Sequence, residues 1–278
     1  MPDFDAIARA IAAVAKAPHG QPEPVGGGCI NQAFRWGGYF VKANVPEQHP
    51  NFLAEATGLR EIARTATLRV PEVIAAGRDP RQAFLVLEHF DLRGAGDEAG
   101  LGEQLARLHQ VTGARYGFGG DNFIGATPQP NDWLDAWPAF FRERRIGHLL
   151  GLLGARGIEF PEAATFLARL PELLPSDPPA ALLHGDLWGG NKAFLADGTP
   201  VVFDPAVHHG DPECDLAMTA LFGGFGRRFH EAYRSLRPAP ADVAARHEIY
   251  QLYHVLNHAL LFGGGYLEQA RRILRRYA

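Results

Sequence analysis

The sequence contains few cysteines and no long apolar run, and each shortage argues against a class of protein. Only Cys29 and Cys214 are cysteine among the 278 residues, and they lack the spacing of a zinc site. Such sparse use of cysteine favours free thiols in a reducing compartment. No uninterrupted apolar run approaches the ~20 residues that a membrane-spanning helix needs. We therefore expect no association with a membrane.

Excess charge of either sign is also lacking. Lysine and arginine together number 27 and the acids 31, for a net charge of −4, which gives no footprint for nucleic acid. The first residues carry Asp3 and Asp5 before any cation, unlike a signal peptide. With 46% hydrophobic residues the chain can bury a sizeable core. We expect a soluble cytoplasmic protein, monomeric or homodimeric, built as one large domain or two lobes.

An acid, an amide and a second acid form the most informative pattern. Asp186 precedes Asn191 by five residues, and Asp204 follows thirteen residues after Asn191. Protein kinases space a catalytic Asp, an Asn and a metal-binding Asp in this way. The pattern predicts Asp186 as the catalytic base, with Asn191 and Asp204 as ligands of Mg²⁺ and ATP as the phosphate donor.

A predicted hairpin places the two metal ligands together. Apolar runs at 193–195 and 200–203 flank Asp197 and Gly198, a strong two-residue turn signal. Asn191 then lies just before one strand and Asp204 just after the other. The alternative is that the acid and the amide of the 184–191 loop are ordinary turn residues.

A second set of residues predicts a binding site for the phosphates of the nucleotide. Gly26, Gly27 and Gly28 form a turn whose N–H groups could approach phosphate, although such turns often have no function. Lysine is scarce, and Lys42 ends an apolar strand one hairpin further on, where kinases hold their phosphate-binding lysine. Glu55, on a helix predicted over 51–64, is the preferred partner for that lysine.

Glu61 competes with Glu55 for this role. The simpler interpretations are that Lys42 extends from the edge of a strand into solvent and that the glutamate is a solvated residue near the start of a helix. A further strand predicted over 83–90 leads into a glycine-rich link at 93–100. We expect backbone groups near Glu88, His89 and Phe90 to bind adenine at this hinge.

The rest of the chain reads as mainly helical. Periodic apolar residues predict helices within 1–17 and over 101–110, 138–153 and 248–261. The long irregular stretch before the third of these either lines a substrate pocket or decorates the surface. Its polar and aromatic residues are Asp121, Asn122, Gln129, Asn131 and Trp133.

Three residues outside these patterns have local interpretations. His109 is expected to be packed, and Asp215 is expected to cap a helix or to anchor the catalytic loop. Cys29, in the predicted phosphate loop, is either a small buried residue or a redox-sensitive thiol.

Taken together, these segments resemble the fructosamine/ketosamine-3-kinase family from about residue 20 to 270. The motifs that carry the resemblance are Gly-Gly-Cys-Ile-Asn-Gln at 27–32, Tyr-Phe-Val-Lys-Ala-Asn at 39–44, Phe-x-x-Glu-Ala-x-Gly-Leu at 52–59, His-Gly-Asp-Leu-Trp-x-Gly-Asn at 184–191, Asp-Pro-Ala at 204–206, Leu-Phe-Gly-Gly-Phe at 221–225, Leu-Asn-His at 256–258 and Phe-Gly-Gly-Gly-Tyr at 262–266. The pieces at 186–191 and 221–225 are specific, beyond the general fold shared with aminoglycoside phosphotransferases and choline kinases.

The resemblance implies an α+β, two-lobed protein-kinase-like fold. Its small N-terminal lobe, residues 1–90, would hold an antiparallel sheet plus a helix and bind ATP. Its larger, mainly helical lobe, residues 91–278, would carry catalysis and the substrate.

The resemblance also implies transfer of phosphate from ATP to the 3-hydroxyl of a ketosamine, the Amadori adduct of a sugar on an amine, in deglycation repair. Trp188 would form a wall of the sugar pocket, and His208 and Glu213 are further substrate candidates. Two departures from the family pattern occur, Gly189 where Ser is usual and the pair His208-His209 where Tyr residues are usual. They leave the reaction standing and bear on the choice of sugar.

Two other functions stay open on the sequence. The acids Asp211, Glu213 and Asp215 could hold a cationic acceptor, as in a kinase for an aminoglycoside or choline. A nucleotide-binding protein without catalysis is the other, but it has no need for Lys42 and Asp186 together with their partners.

Overall fold

The computed structural model describes residues 2–26 and 31–278. Its N-terminal part is a five-stranded antiparallel sheet in the order β1-β2-β3-β5-β4. The strands are β1 Glu23–Val25, β2 Gln32–Trp36, β3 Tyr39–Asn44, β4 Val73–Arg78 and β5 Ala83–Glu88. Gly37, at φ +58°, closes the predicted hairpin between β2 and β3.

Two helices cover the two faces of this sheet. Helix α1, Phe4–Ala12, buries Ile7 and Ile11 against the aromatic face of β2. Helix α2, His49–Arg64, starts two residues earlier than predicted, after a 3₁₀ turn at Pro46–Gln48. The expected apolar stripe of α2 is buried against Leu85 and Leu87 of β5. This packing fixes where α2 stands relative to β3.

The remainder of the chain is mainly helical. The helices are α3 Glu98–Leu108, α4 Trp137–Phe140, α5 His148–Gly154, α6 Ala163–Leu173, α7 Glu213–Leu221, α8 Arg227–Leu236, α9 Val243–Phe262 and α10 Gly265–Tyr277. The single helix predicted over 138–153 is interrupted by a π-helical segment, Phe141–Gly147. Helix α9 is longer than the predicted 248–261. Many of its side chains are buried in the hydrophobic core of this helical part.

Three short antiparallel pairs shape the loops of this part. They are β6 Asn122–Ile124 with β7 Thr127–Gln129, β8 Ala181–Leu183 with β11 His208–Gly210, and β9 Lys192–Phe194 with β10 Pro200–Val202. The predicted turn at Gly198, φ +87°, joins β9 to β10. Because β11 returns beside β8, segments 184–191 and 203–207 lie side by side.

Helix α2 also contacts the second of these segments. A Cβ added at Gly58 would lie 3.2 Å from both Pro205 and Val207. This close approach brings the helix of Glu55 against the chain that follows Asp204. The lobe division predicted at residue 90 falls between β5 and α3 and remains a prediction. No helix in the described part of the chain is long and apolar enough to cross a membrane.

Candidate active site

The loop after β8 is held rigidly by its backbone. Gly185 has φ +83°, and an added Cβ would lie 2.1 Å from the carbonyl oxygen of Ala206. The carboxylate of Asp215, at the start of α7, accepts hydrogen bonds from the N–H groups of His184 (2.8 Å) and Gly185 (2.9 Å). Asp215 thus anchors the catalytic loop, one of the two roles expected for it.

A buried chain of hydrogen bonds supports this anchor. His109 is fully buried, as expected, with Nε2 3.1 Å from Asp215 and Nδ1 2.8 Å from the hydroxyl of Tyr233. Burial alone would raise the pKa of Asp215, but the bond from His109 and those from the loop N–H groups outweigh it and lower the pKa. The anchor therefore stays ionised.

His184 ties the catalytic loop to the segment after β10. Burial lowers the pKa of His184, so its ring is neutral. Its Nε2 lies 3.1 Å from the carbonyl oxygen of Phe203, and its Nδ1 accepts from the N–H of Asp186 at 3.3 Å. The carbonyl of His184 accepts from the N–H of Ala206 at 2.8 Å. The backbones that carry Asp186 and Asp204 are thereby joined.

Asp186 and Asn191 lie side by side at the end of this loop. The Asn191 amide donates to the carbonyl oxygen of Asp186 (2.9 Å) and to its Oδ2 (3.2 Å). Burial and, second, the charge of Asp204 raise the pKa of Asp186 to about 7, against the hydrogen bond from Asn191. A carboxylate with such a pKa can take up a proton near neutral pH.

Lys42 brings the two parts of the molecule together. From the centre of β3 its Nζ reaches Glu55 Oε1 on α2 at 2.7 Å and Asp204 Oδ1 at 2.5 Å. The competing Glu61 pairs instead with Arg64 on the surface. Lys42 is therefore paired as the sequence predicted.

The charges of this triad are mutually dependent. Burial opposes the charge of Lys42, but Glu55 and Asp204 together raise its pKa. Partial loss of solvent around Asp204 likewise opposes its charge, and Lys42 outweighs that effect and lowers the pKa of Asp204. For Glu55 burial prevails over Lys42 and raises the pKa to about 7. The Lys42–Asp204 pair is thus the firmly ionised part of the triad.

The residues predicted to bind Mg²⁺ suit that ion. The N–H of Phe203 bonds to the carbonyl oxygen of Asn191 at 3.1 Å, so both ligands lie at one end of the β9–β10 hairpin. The amide nitrogen of Asn191 is engaged by Asp186, and within residues 2–26 and 31–278 its Oδ1 accepts no hydrogen bond. The Asp204 side chain is 47% exposed. Amide and carboxylate oxygens with open positions match what Mg²⁺ prefers.

Some polar groups of the hinge after β5 already have hydrogen-bond partners within the protein. Both carboxylate oxygens of Glu88 bind Arg69, its N–H donates to Glu72, and the N–H of His89 donates to Gly38. In the described part of the chain, the N–H of Phe90 donates to no acceptor. Of the three predicted adenine-binding positions, Phe90 thus keeps a free backbone donor.

The glycine turn is only partly described. Gly26 is exposed and follows β1, and Gly27, Gly28 and Cys29 lie outside the described residues. Their predicted roles in phosphate binding and in redox chemistry remain predictions.

Aromatic side chains lie together at the catalytic loop, which carries Trp188 two residues after Asp186. Trp188 is 40% exposed, covers Gly190 and meets Phe222 edge to face with ring centroids 6.2 Å apart. Phe222 in turn contacts His258 at 4.8 Å. Sequence reasoning assigned no role to Phe222 or His258, although both lie in motifs that carried the family resemblance.

His208 and Glu213 are not displayed beside Trp188. His208 is buried in β11, stacks on Phe140, and has its Nδ1 3.2 Å from the carbonyl oxygen of Ala206. Glu213 is buried, and its oxygens are taken by Arg234 (2.6 and 2.7 Å) and His247 (2.7 Å). The carboxylate oxygens of Glu213 are engaged within the fold, and His208 is buried with its Nδ1 engaged. The substrate roles predicted for both residues remain predictions.

Replacing Glu213 with Gln should therefore lower stability and leave substrate affinity unchanged. Burial opposes its charge, but Arg234 and His247 lower the pKa to about 2, so its contribution is complete above about pH 4.5 and declines as pH falls toward 2. Losing one partner of this buried cluster should cost about 1–3 kcal/mol. Thermal unfolding from pH 7 to pH 3 should show a gap between parent and variant that narrows with acid. The same change at exposed Glu172 is the control, and a raised KM for the acceptor with unchanged stability would restore the substrate role.

The convergence of Lys42, Glu55 and Asp204 defines the class of the molecule. A strand lysine held by a helix glutamate beside a metal-binding Asp is how protein kinases position the phosphates of ATP. An ADP-bound aminoglycoside phosphotransferase shares the fold, with a TM-score of 0.63 at 13% identity over 92% of each chain. The molecule is a two-lobed α+β phosphotransferase of protein-kinase-like fold.

Within that class the chain belongs to the fructosamine kinase family, whose model matches residues 4–278. A Synechocystis sp. protein named as a probable ketoamine kinase is 47% identical over 91% of this chain and 88% of its own length. The chloroplastic protein-ribulosamine 3-kinase of Arabidopsis thaliana is 39% identical over 91% of this chain and 81% of its own. The crystal structure of a Haemophilus somnus protein assigned as a fructosamine-3-kinase gives a TM-score of 0.92 at 29% identity, covering 99% and 97% of the two chains.

Proposed function

We propose that this protein transfers phosphate from ATP to the 3-hydroxyl of a ketosamine and so takes part in deglycation. One observation carries the proposal: Lys42 forms ion pairs with both Glu55 and Asp204, next to the hydrogen-bonded pair of Asp186 and Asn191. The substrates in the names of its relatives, ketoamines and protein-bound ribulosamines, support the choice of acceptor.

The nucleotide would lie between the sheet and the catalytic loop. Lys42 would contact the α- and β-phosphates while Glu55 keeps its ammonium in place. The free N–H of Phe90 would donate to the adenine ring. Mg²⁺, held by Asn191 and Asp204, would offset the charge that develops on the phosphates.

Asp186 would position the acceptor hydroxyl. Phosphoryl transfer passes through a loose transition state, so orientation of the hydroxyl matters more than strong basicity. The carboxylate would accept the hydroxyl proton late in the reaction. Asn191 assists by fixing one oxygen of the carboxylate, which leaves the other for the substrate.

The acceptor would rest against Trp188. A half-exposed indole beside the catalytic acid offers an apolar face to a sugar ring, with Phe222 supporting it from the side. The phosphorylated ketosamine would then decompose and release the free amine.

The structure disfavours a polycationic acceptor. Asp211 is held by Tyr250 (2.6 Å) and Arg246 (3.4 Å), and the other two candidate acids, Glu213 and Asp215, are engaged as described above. A site for an aminoglycoside would need carboxylates that are free to form ion pairs with ammonium groups. These three carboxylates already have hydrogen-bond partners within the protein.

Consumption of ATP with Mg²⁺ against a panel of acceptors tests the proposal. The panel contains ribulose-lysine, erythrulose-lysine, fructose-lysine, an aminoglycoside and choline. We expect turnover on at least one ketosamine, with the phosphate located on its 3-hydroxyl by NMR. Turnover confined to the aminoglycoside or to choline would contradict the acceptor while keeping the kinase chemistry.

A further inference from the structure

The hairpin β6–β7 carries a buried network of amide side chains that the proposed mechanism does not use. Asn122 and Gln129 face each other across the hairpin as register partners, and Asn131 follows two residues later. All three are at least nine-tenths buried. They belong to the irregular stretch for which a substrate pocket or surface decoration was expected, and their burial excludes surface decoration for these three side chains.

The network ends on the backbone that follows Asp204. Gln129 Nε2 donates to the carbonyl oxygen of Ala206 at 3.2 Å, and Asn122 Nδ2 donates to that of Val207 at 2.8 Å. The same nitrogen of Gln129 donates to Asn122 Oδ1 at 2.7 Å. Two adjacent amides thus hold two successive carbonyls.

The orientation of each amide is fixed by a partner of single polarity. A backbone carbonyl only accepts, so the nitrogens of Gln129 and Asn122 must point at Ala206 and Val207. Asn131 Oδ1 lies 2.7 Å from the Arg145 guanidinium, which only donates, so the Asn131 nitrogen donates to Asn122 Oδ1 at 2.8 Å.

The remaining oxygen, Gln129 Oε1, accepts from the hydroxyl of Tyr253 on α9 at 2.6 Å. Arg145, from the π-helical segment, also donates to the carbonyl of Pro130 and stacks on the ring of Phe140. The amides are therefore tied to two elements of the helical core and have one consistent arrangement.

The segment held in this way has little freedom elsewhere. Asp204 adopts φ +55°, a conformation that asparagine and aspartate tolerate and most residues avoid. Ala206 is bonded through its N–H to His184 and lies against Gly185, and Pro205 and Val207 lie against Gly58 of α2. A shift of this segment would move Asp204 relative to both Lys42 and the catalytic loop.

We infer that Gln129 and Asn122 are positioning residues that hold the 204–207 backbone so that the Asp204 carboxylate faces the Mg²⁺–ATP site. The inference rests on the metal-binding role proposed for Asp204. It assigns a function to the hairpin that neither the sequence patterns nor the names of the relatives provide.

The sharpest variant is Gln129→Glu, which keeps the shape and replaces the donating nitrogen by an oxygen. That oxygen would face the Ala206 carbonyl and Asn122 Oδ1, both acceptors. An ionised carboxylate could donate to neither and a protonated one to only one of them, while Tyr253 keeps its bond. We expect the dissociation constant of a non-hydrolysable ATP analogue with Mg²⁺ to rise about tenfold, as for loss of an outer-shell partner of a metal ligand. Affinity for the analogue without metal should change less than about twofold.

Hydrogen–deuterium exchange gives a second readout that does not depend on activity. Peptides covering 203–210 should exchange faster in Gln129→Glu, while those of α6 remain as in the parent. Gln110→Glu, the same change on an exposed side chain, should alter neither measurement. Tyr253→Phe removes a single bond to Gln129 and supplies a milder variant, with an expected rise of about two- to fivefold, should Gln129→Glu not fold.

The outcomes separate the inference from its premise. Unchanged Mg²⁺-dependent affinity and unchanged exchange in folded Gln129→Glu, with Asp204→Ala impaired, would overturn the positioning role alone. Equal loss of affinity with and without Mg²⁺ would also overturn it, because that result indicates a general loosening of the fold. If Asp204→Ala itself retains Mg²⁺-dependent binding, the metal role proposed for Asp204 fails instead.

Discussion

Replacing Asp186 with Asn should lower kcat for the ketosamine by at least about 100-fold while the affinity for ATP stays near that of the parent. General-base groups contribute about 10²–10⁴ in rate. Asn has the same shape and can still accept the bond that Asn191 donates to Oδ2. What it loses is the ability to take the proton from the acceptor hydroxyl.

Stability gives this prediction an internal control. Burial and the charge of Asp204 raise the folded-state pKa of Asp186 to about 7, against about 4 in an unfolded chain. Ionised Asp186 therefore weakens the fold, by an amount that is absent below about pH 4 and complete above about pH 7. The variant should unfold at the same temperature as the parent or higher at pH 8.

A loss of turnover in Asp186→Asn thus cannot be attributed to unfolding. The same change at Asp135, whose side chain is 85% exposed, should leave kcat within about twofold. Near-normal turnover by Asp186→Asn would mean that another group receives the proton, or that none is needed. Such a result would remove Asp186 from the mechanism without touching the nucleotide site.

The sequence predicted correctly those contacts that join residues close along the chain. The turn at Asp197 and Gly198 dictates a hairpin, and a hairpin brings residues just outside its two strands together. The Lys42–Glu55 pair was predictable from the kinase pattern, in which a glutamate on the helix after the third strand pairs with the lysine of that strand. The local patterns and the kinase spacing therefore predict the contacts that join Lys42, Glu55, Asn191 and Asp204 in the candidate site.

The acceptor side depends on contacts that no local pattern reveals. His208 lies on a short strand, and nothing in the sequence says which face of that strand is buried. Gln129 reaches Ala206, 77 residues away, and Tyr253, 124 residues away. Asparagine is also common in turns, so only the fold distinguishes a buried network from surface decoration.

The π-helical segment is a further feature that periodicity cannot show. A run of apolar residues over 138–153 fits an ordinary helix, yet the chain widens at Phe141–Gly147 and turns Arg145 into the core. Such segments are frequent at functional sites. Here the widening places the guanidinium where it orients Asn131.

Replacing Asp204 should remove the effect of Mg²⁺ on nucleotide affinity. Asp204→Ala deletes a proposed metal ligand, and we expect the dissociation constant of a non-hydrolysable ATP analogue with Mg²⁺ to rise by about 100-fold or more, beyond the 10–100-fold of outer-shell changes. Lys42 keeps Glu55 at 2.7 Å, so binding of the analogue without metal should persist. Titration calorimetry with and without Mg²⁺ measures both quantities.

The backbone at Asp204 makes a second variant necessary. Alanine at φ +55° adds strain of about 1–2 kcal/mol, whereas asparagine tolerates this conformation. Asp204→Asn keeps the shape of the side chain and one neutral oxygen. It removes the negative charge that pairs with Lys42 and is proposed to bind the metal. If Mg²⁺ dependence falls in both variants, the carboxylate is responsible; if it falls only in Asp204→Ala, the backbone is. Unchanged Mg²⁺ dependence in both would show that the metal is bound by other groups.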